Sequence, residues 1–229
     1  DVVAAIGDSL VAGSGALEEF ALGAIVEYRG VSWCAGGDST WREFLTLPNI
    51  LKEYNPNLRG YSTGTGEWLA KNSRLNVAFP VASDQDAYKQ AKILVARIRS
   101  SPDIDVSRDW KMITVFIGAN DLCSASCLSP VSWSPTAHAR KLARALDYFH
   151  EHLPRTIVNL IPVLGKTTAI VVSSTANLLW NNLLEPVGNK SDNVPPVLMN
   201  SFRCPSRRAP YIFTNKNSQM FYQTGRQDT

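Results

Sequence analysis

Residues 2–15 read VVAAIGDSLVAGSG, and the fold turns on how that stretch is read. An apolar run over 2–6 stops at Gly7, which delivers an acid and a serine, Asp8 and Ser9. A short unbroken apolar run closed by glycine is the pattern of a strand buried on both faces, as in a covered parallel sheet. The serine then sits at the carboxyl edge of that sheet, where ligands of open α/β folds bind. Gly7 permits a sharp exit, and the N-terminus of a following helix favours developing negative charge. Ser9 is therefore a candidate nucleophile. The competing reading is a serine that only caps a helix.

Working outward, the same pattern recurs. Residues 75–79, 112–117 and 156–162 read as further buried strands. Between them, residues 87–100 place Ala87, Ala91, Leu94, Val95 and Ile98 on one stripe, with Lys89, Lys92, Arg97 and Arg99 outside. Residues 135–152 open with Ser134 as N-cap and Pro135 at the first helical position, turn Leu142, Leu146 and Phe149 inward, and stop before Pro154. A last helix is expected over 176–185 (ANLLWNNLLE), halted by Pro186. Alternation of strands and helices predicts an α/β fold with a parallel sheet. Residues 34–74 are rich in Gly, Ser, Thr and Asn and read as a long functional or surface-wrapped loop. Residues 187–229 hold four prolines without periodicity and read as an extended tail.

Composition narrows the class. The chain has 229 residues, 45% hydrophobic and 19% charged, which is globular rather than disordered. No apolar run reaches the length of a membrane span. The chain begins at Asp1, directly at a strand, and reads as a piece of a longer polypeptide. Its formal charge is +3, of which the tail carries +4 (Lys190, Arg203, Arg207, Arg208, Lys216 and Arg226 against Asp192 and Asp228). Arg207 and Arg208 suit a solvated tail better than a lipid-headgroup site. No basic stripe with interleaved aromatics argues for nucleic acid. Cys123 and Cys127 form a lone C-x3-C with no second pair to complete a zinc site, so no metal and no cofactor is expected. They are either a local disulfide or two buried thiols; the pairing of Cys34 and Cys204 stays open. Asn189-Lys190-Ser191 is the one N-x-S/T sequon, a glycosylation candidate at Asn189.

A second motif carries chemistry. In FIGAND, residues 116–121, another buried strand ends in glycine and presents Asn120 and Asp121 at the same sheet edge. An Asn amide there can donate to an oxyanion in acyl transfer. The bland alternative is an Asx turn after a strand.

Ser9 in GDSLVAGSGA, with Gly118 and Asn120 in IGANDLC, resembles the blocks of the SGNH (GDSL) hydrolase superfamily. Within it, EYRGVSWCAGGDSTW, LTLPNILKEYNPNLRGYSTGTG, RLNVAFP and LWNNLLEPVG resemble the repeats of the membrane-associated phospholipase B family. The likeness runs to about Gly165 and resumes near Ala176. It implies a flavodoxin-like three-layer α/β/α domain over 1–186 that is truncated or internally deleted near 165–176, followed by the 187–229 tail. It implies serine acyl transfer on phospholipids, lysophospholipids and related lipid esters, with neighbouring repeats of one larger chain as partners. It also implies display on the extracellular face of an apical plasma membrane, where Cys123 and Cys127 would be disulfide-linked.

Two departures accompany the resemblance. The superfamily places a glycine after its second strand as a backbone oxyanion donor; the matching place in LNVAFPVASDQDAYKQA holds Val81, which is expected to be unable to take glycine's φ. The superfamily's base comes in a late Asp-x-x-His block, yet residues 166–178 (KTTAIVVSSTANL) contain neither residue. The three histidines, His138, His150 and His152, lie on the 135–152 helix or its end, and are expected to be surface or interfacial residues away from Ser9. His150 and His152 are the first to test as substitutes. The expectation is a lipid ester hydrolase by resemblance that is catalytically impaired. The alternative is a non-catalytic structural or lipid-binding repeat. Carbohydrate esterase activity is a third possibility open to the fold.

Overall fold

The computed structural model of the chain describes residues 1–19, 21–122 and 134–163. The helix expected over 176–185, the tail, and Cys123, Cys127, Cys204 and Asn189 lie outside them. The chain divides into two units, and the first, Asp1–Asp121 with Thr136–Val163, holds the sheet.

Three parallel strands form that sheet in the order β1 (Val2–Gly7), β2 (Lys111–Phe116) and β3 (Thr156–Leu160). Gly7 lies opposite Phe116, and Val115 lies between Ile6 and Leu160. Among the regular helices, α1 (Ser9–Ala12) follows β1, α2 (Leu47–Lys52) interrupts the long loop, α3 (Ala87–Ser100) precedes β2, and α4 (Pro135–His152) joins β2 to β3. Each strand is parallel to its neighbour and linked to it through a helical segment, so the domain is α/β, as the alternating pattern predicts.

Both faces of β1 are covered, which explains its unbroken apolar run. Val2, Ala4 and Ile6 pack with Leu94 and Ile98 of α3, Leu142 and Phe149 of α4, and Ile113 and Val115 of β2. On the other face Ala5 meets Val11 and Ala12 of α1 with Cys34, Ala35 and Ala78. The predicted stripe of α3 is buried throughout, and in α4 Leu142 and Phe149 are buried while Leu146 is half-buried against the same core. The strand expected over 156–162 is less covered: Ile157 is 51% and Leu160 42% exposed, because β3 is the last strand of the sheet among the described residues.

Residues 75–79 depart from the expected regular strand. They run beside β1 with one isolated bridge, Ala5 to Asn76. The Ala5 N–H donates to the Leu75 carbonyl at 3.1 Å, and the Val77 N–H donates to the Ala5 carbonyl at 3.0 Å. The carbonyls on the opposite side, Asn76 and Ala78, accept from the fully buried Arg29 guanidinium at 3.1 and 2.7 Å. Arg29 also donates to Gly66 O at 2.6 Å and pairs with Glu27. A side chain therefore satisfies the outer carbonyls of this segment, where a further strand would otherwise be needed. The long loop is ordered in the same way: Thr46 caps α2 by accepting from the Asn49 N–H at 3.2 Å, and Asn49 donates to the carbonyls of Asp38 and Phe44.

Candidate active site

Ser9 leaves β1 at its carboxyl edge as the first residue of α1, half-buried. The cap is Asp8, whose Oδ1 accepts from the Leu10 N–H at 3.0 Å, so Ser9 does not serve as the N-cap. Glycine is required at position 7 by crowding: a Cβ would lie 2.4 Å from Val11 Cγ2 and 2.5 Å from the Phe116 carbonyl oxygen. Gln90 of α3, fully buried, holds this turn from below. Its Nε2 donates to Gly7 O and its Oε1 accepts from Gly7 N–H, both at 2.8 Å. Burial raises the Asp8 carboxyl above its ordinary range, opposed by the backbone N–H groups of Leu10 and Ala119. The latter contact brings the strand end of β2 beside the serine turn. With four residues before the left-handed Gly13 (φ 76°), α1 is too short to supply the helix-terminus field that the sequence suggested.

The expected oxyanion residues come from two segments. Gly118, just past β2, has φ 126°, and a Cβ there would lie 2.7 Å from His138 Cε1. Asn120 is half-buried and its Nδ2 donates to the Ala82 carbonyl at 2.8 Å, tying this loop to the residue after Val81. Val81 does adopt a left-handed conformation, φ 65°, which corrects the expectation that it cannot. Its side chain is 79% exposed, so what it contributes is backbone strain rather than crowding. A β-branched residue at positive φ is an outlier, and the cost is about 1–3 kcal/mol.

The histidines separate. His152 stacks on Tyr148 and His150 is exposed, both in the last turn of α4, at the end remote from Ser9. His138, near the start of α4, lies against Gly118 at the carboxyl edge, so it and not His150 or His152 is the histidine nearest the site. Nor is it an ordinary surface group: its Nδ1 lies 3.1 Å from Asp84 Oδ2. Asp84 is buried, takes Lys141 Nζ on Oδ1 at 2.8 Å, and donates its own N–H to Asp121 Oδ2 at 2.9 Å. Burial works to raise the Asp84 carboxyl, and the hydrogen bonds and charges of His138 and Lys141 overcome it and hold it below the usual range. An ionised carboxylate accepts only, so Nδ1 carries the proton. Burial pushes the Asp121 carboxyl up to about 6. Neither Asp84 nor Lys141 was singled out in the sequence; Asp121 was visible only as the neighbour of Asn120.

The arrangement is a serine at a strand end, flanked by Gly118 and Asn120, without a histidine hydrogen-bonded to it. All three histidines of the chain are among the described residues; Nδ1 of His138 pairs with Asp84 Oδ2, and Nδ1 of His152 with the Tyr148 carbonyl.

Residues 3–216 match the GDSL-like Lipase/Acylhydrolase family. The chain is similar to membrane-associated phospholipase B1 of Rattus norvegicus (43% identical over 163 residues), Mus musculus (42% over 168) and Homo sapiens (44% over 163). These matches cover 71–72% of the chain but 11% of each relative, so the chain spans about a tenth of their length. No solved structure matches.

Proposed function

The chain belongs to the GDSL-like lipase/acylhydrolase family, and from that premise we propose that it is a phospholipase B-type lipid ester hydrolase domain whose serine has lost its base. The observation that carries this reading is Ser9 at the end of β1, beside Gly118 and Asn120, with no hydrogen bond to any of the three histidines. In the reaction of such a site, Ser9 Oγ attacks the ester carbonyl, and the hydroxyl proton passes to a base. The carbonyl oxygen gathers charge facing Asn120 and the N–H groups of Gly118 and Val81. The intermediate then collapses, the alcohol leaves with a proton, and water releases the fatty acid from the acyl-serine. Here the first proton transfer lacks its acceptor. Loss of the histidine of a serine triad costs about 10⁶-fold in kcat, and binding with the oxyanion hole leaves about 10³–10⁴ over water.

A second reading, a structural or lipid-binding repeat without turnover, is favoured by the same missing base. In either case we place the domain in a larger membrane-anchored chain at the extracellular face of the apical membrane, with neighbouring repeats and lipid esters as partners. No described helix is long and apolar enough to cross a membrane. In that location Asn189 is glycosylated, and a mass shift on glycosidase treatment of secreted protein tests it.

Hydrolysis of a lysophospholipid by the purified chain, compared with Ser9→Ala, tests the main reading. Turnover indistinguishable from the variant supports it; Ser9-dependent turnover at family-like rates refutes it.

A further inference from the structure

Asp84, Asp121 and His138 each offer a ligand atom, and these atoms lie within 4.8 Å of one another. They come from three elements: the turn before α3, the loop after β2 and the start of α4. The bonds around them leave one oxygen of each carboxylate untaken by Lys141 or by the Asp84 N–H. Asp84 commits Oδ1 to Lys141 and keeps Oδ2 toward His138. Asp121 commits Oδ2 to the Asp84 N–H, and its Oδ1 is buried with no partner. Asp121 is 5% exposed, so water does not readily satisfy that oxygen. A buried carboxylate oxygen left unpaired is costly, and native folds compensate for one. The charges point the same way: two carboxylates face one ammonium, with an imidazole between them.

We propose that Asp84 Oδ2, Asp121 Oδ1 and His138 Nδ1 bind a divalent transition-metal ion of the zinc class. Two carboxylates and one imidazole suit borderline first-row ions, whereas calcium and magnesium prefer all-oxygen sets. The 3.1 Å between Asp84 Oδ2 and His138 Nδ1 is the separation of two ligands each about 2.0–2.2 Å from one ion. On binding, Nδ1 gives up its proton while Nε2 carries one, so that the ring stays a neutral imidazole and the Nδ1 lone pair takes the metal; the Asp84 carboxylate exchanges that hydrogen bond for a metal bond. Lys141 stays on Asp84 Oδ1, orienting the carboxylate while opposing the ion by charge. The ion joins the segment 82–84 to the loop 120–121, the two segments already linked by the Asn120–Ala82 bond. It would therefore order the oxyanion region without touching Ser9. The site is independent of whether Ser9 turns over.

The test titrates ZnCl2 into the purified, EDTA-treated chain, by calorimetry and thermal melting. One equivalent binds, and the melting temperature rises with zinc concentration, as for any ligand of the folded state. Asp121→Asn and His138→Gln each abolish both effects, while Lys141→Met, which removes the opposing charge, tightens binding. The double substitution His150→Gln/His152→Gln leaves them unchanged. Should Asp121→Asn fail to fold, zinc K-edge absorption of the wild-type complex decides, with one nitrogen and carboxylate oxygens and no sulfur expected. Absence of zinc-dependent heat, persistence of binding in His138→Gln, loss of binding in the His150/His152 variant, or sulfur ligation overturns the proposal.

Discussion

Val81→Gly should make the domain more stable. Val81 holds φ 65° with its side chain 79% exposed, so glycine removes strain and gives up little burial. Relief of a β-branched residue in the left-handed region is worth about 2 kcal/mol. Against this, glycine loses about 0.5–1 kcal/mol more backbone entropy on folding. A fully buried valine contributes about 1.5–3 kcal/mol, and roughly a fifth of that, about 0.5 kcal/mol, is lost here. The net gain is about 0.5–1 kcal/mol, or about 1–4 °C in melting temperature for a domain of this size. Urea unfolding of the two proteins side by side measures it, with an unchanged slope expected. A loss of more than about 1 kcal/mol would mean that the valine is buried and the left-handed turn is not its conformation.

Gln90→Ala should cost about 2–4 kcal/mol, because both the N–H and the carbonyl of Gly7 lose a buried partner; urea unfolding reads this, and a change under 1 kcal/mol would show that the clasp is not formed. Burial lifts the Asp121 carboxyl to about 6, above the usual carboxylate range, so the folded state binds more protons than the unfolded one between about pH 4 and 6 and gains stability as pH falls through that window. Asp121→Asn should remove that gain, about 2 kcal/mol, in EDTA; Asp84, held low, acts oppositely and loses its contribution only below its ordinary range. Cys123 and Cys127 should be disulfide-linked in secreted protein, closing a small loop worth roughly 2 kcal/mol or less; two free thiols in non-reducing peptide mapping would contradict the extracellular placement.

What the sequence made legible was whatever periodicity governs. The helices over 87–100 and 135–152 are fixed by their apolar stripes and by Pro135, and β1 by a run buried on both faces. Residues 75–79 escaped because their outer edge is closed by Arg29, a side chain far away in the chain. Gln90 lies on the buried side of α3 yet is polar, so the stripe rule passes over it. Ser9, Gly118 and Asn120 were found through short motifs at strand ends. Asp84 and His138 were not, because neither has a local pattern and only the packing of α3 beside α4 brings them together. The direction of α4 was inferred correctly, but it carries His138 to the serine's edge of the sheet, while His150 and His152 go to the other.

We propose that Ser9 is placed as a nucleophile and lacks its base. The direct measurement is labelling of the purified chain by a fluorophosphonate probe, which reports an activated serine, with Ser9→Ala beside it. No Ser9-dependent labelling is expected, and activity is expected only after an Asp-x-x-His segment is restored ahead of Leu178. Labelling of Ser9 at rates typical of active family members would contradict it.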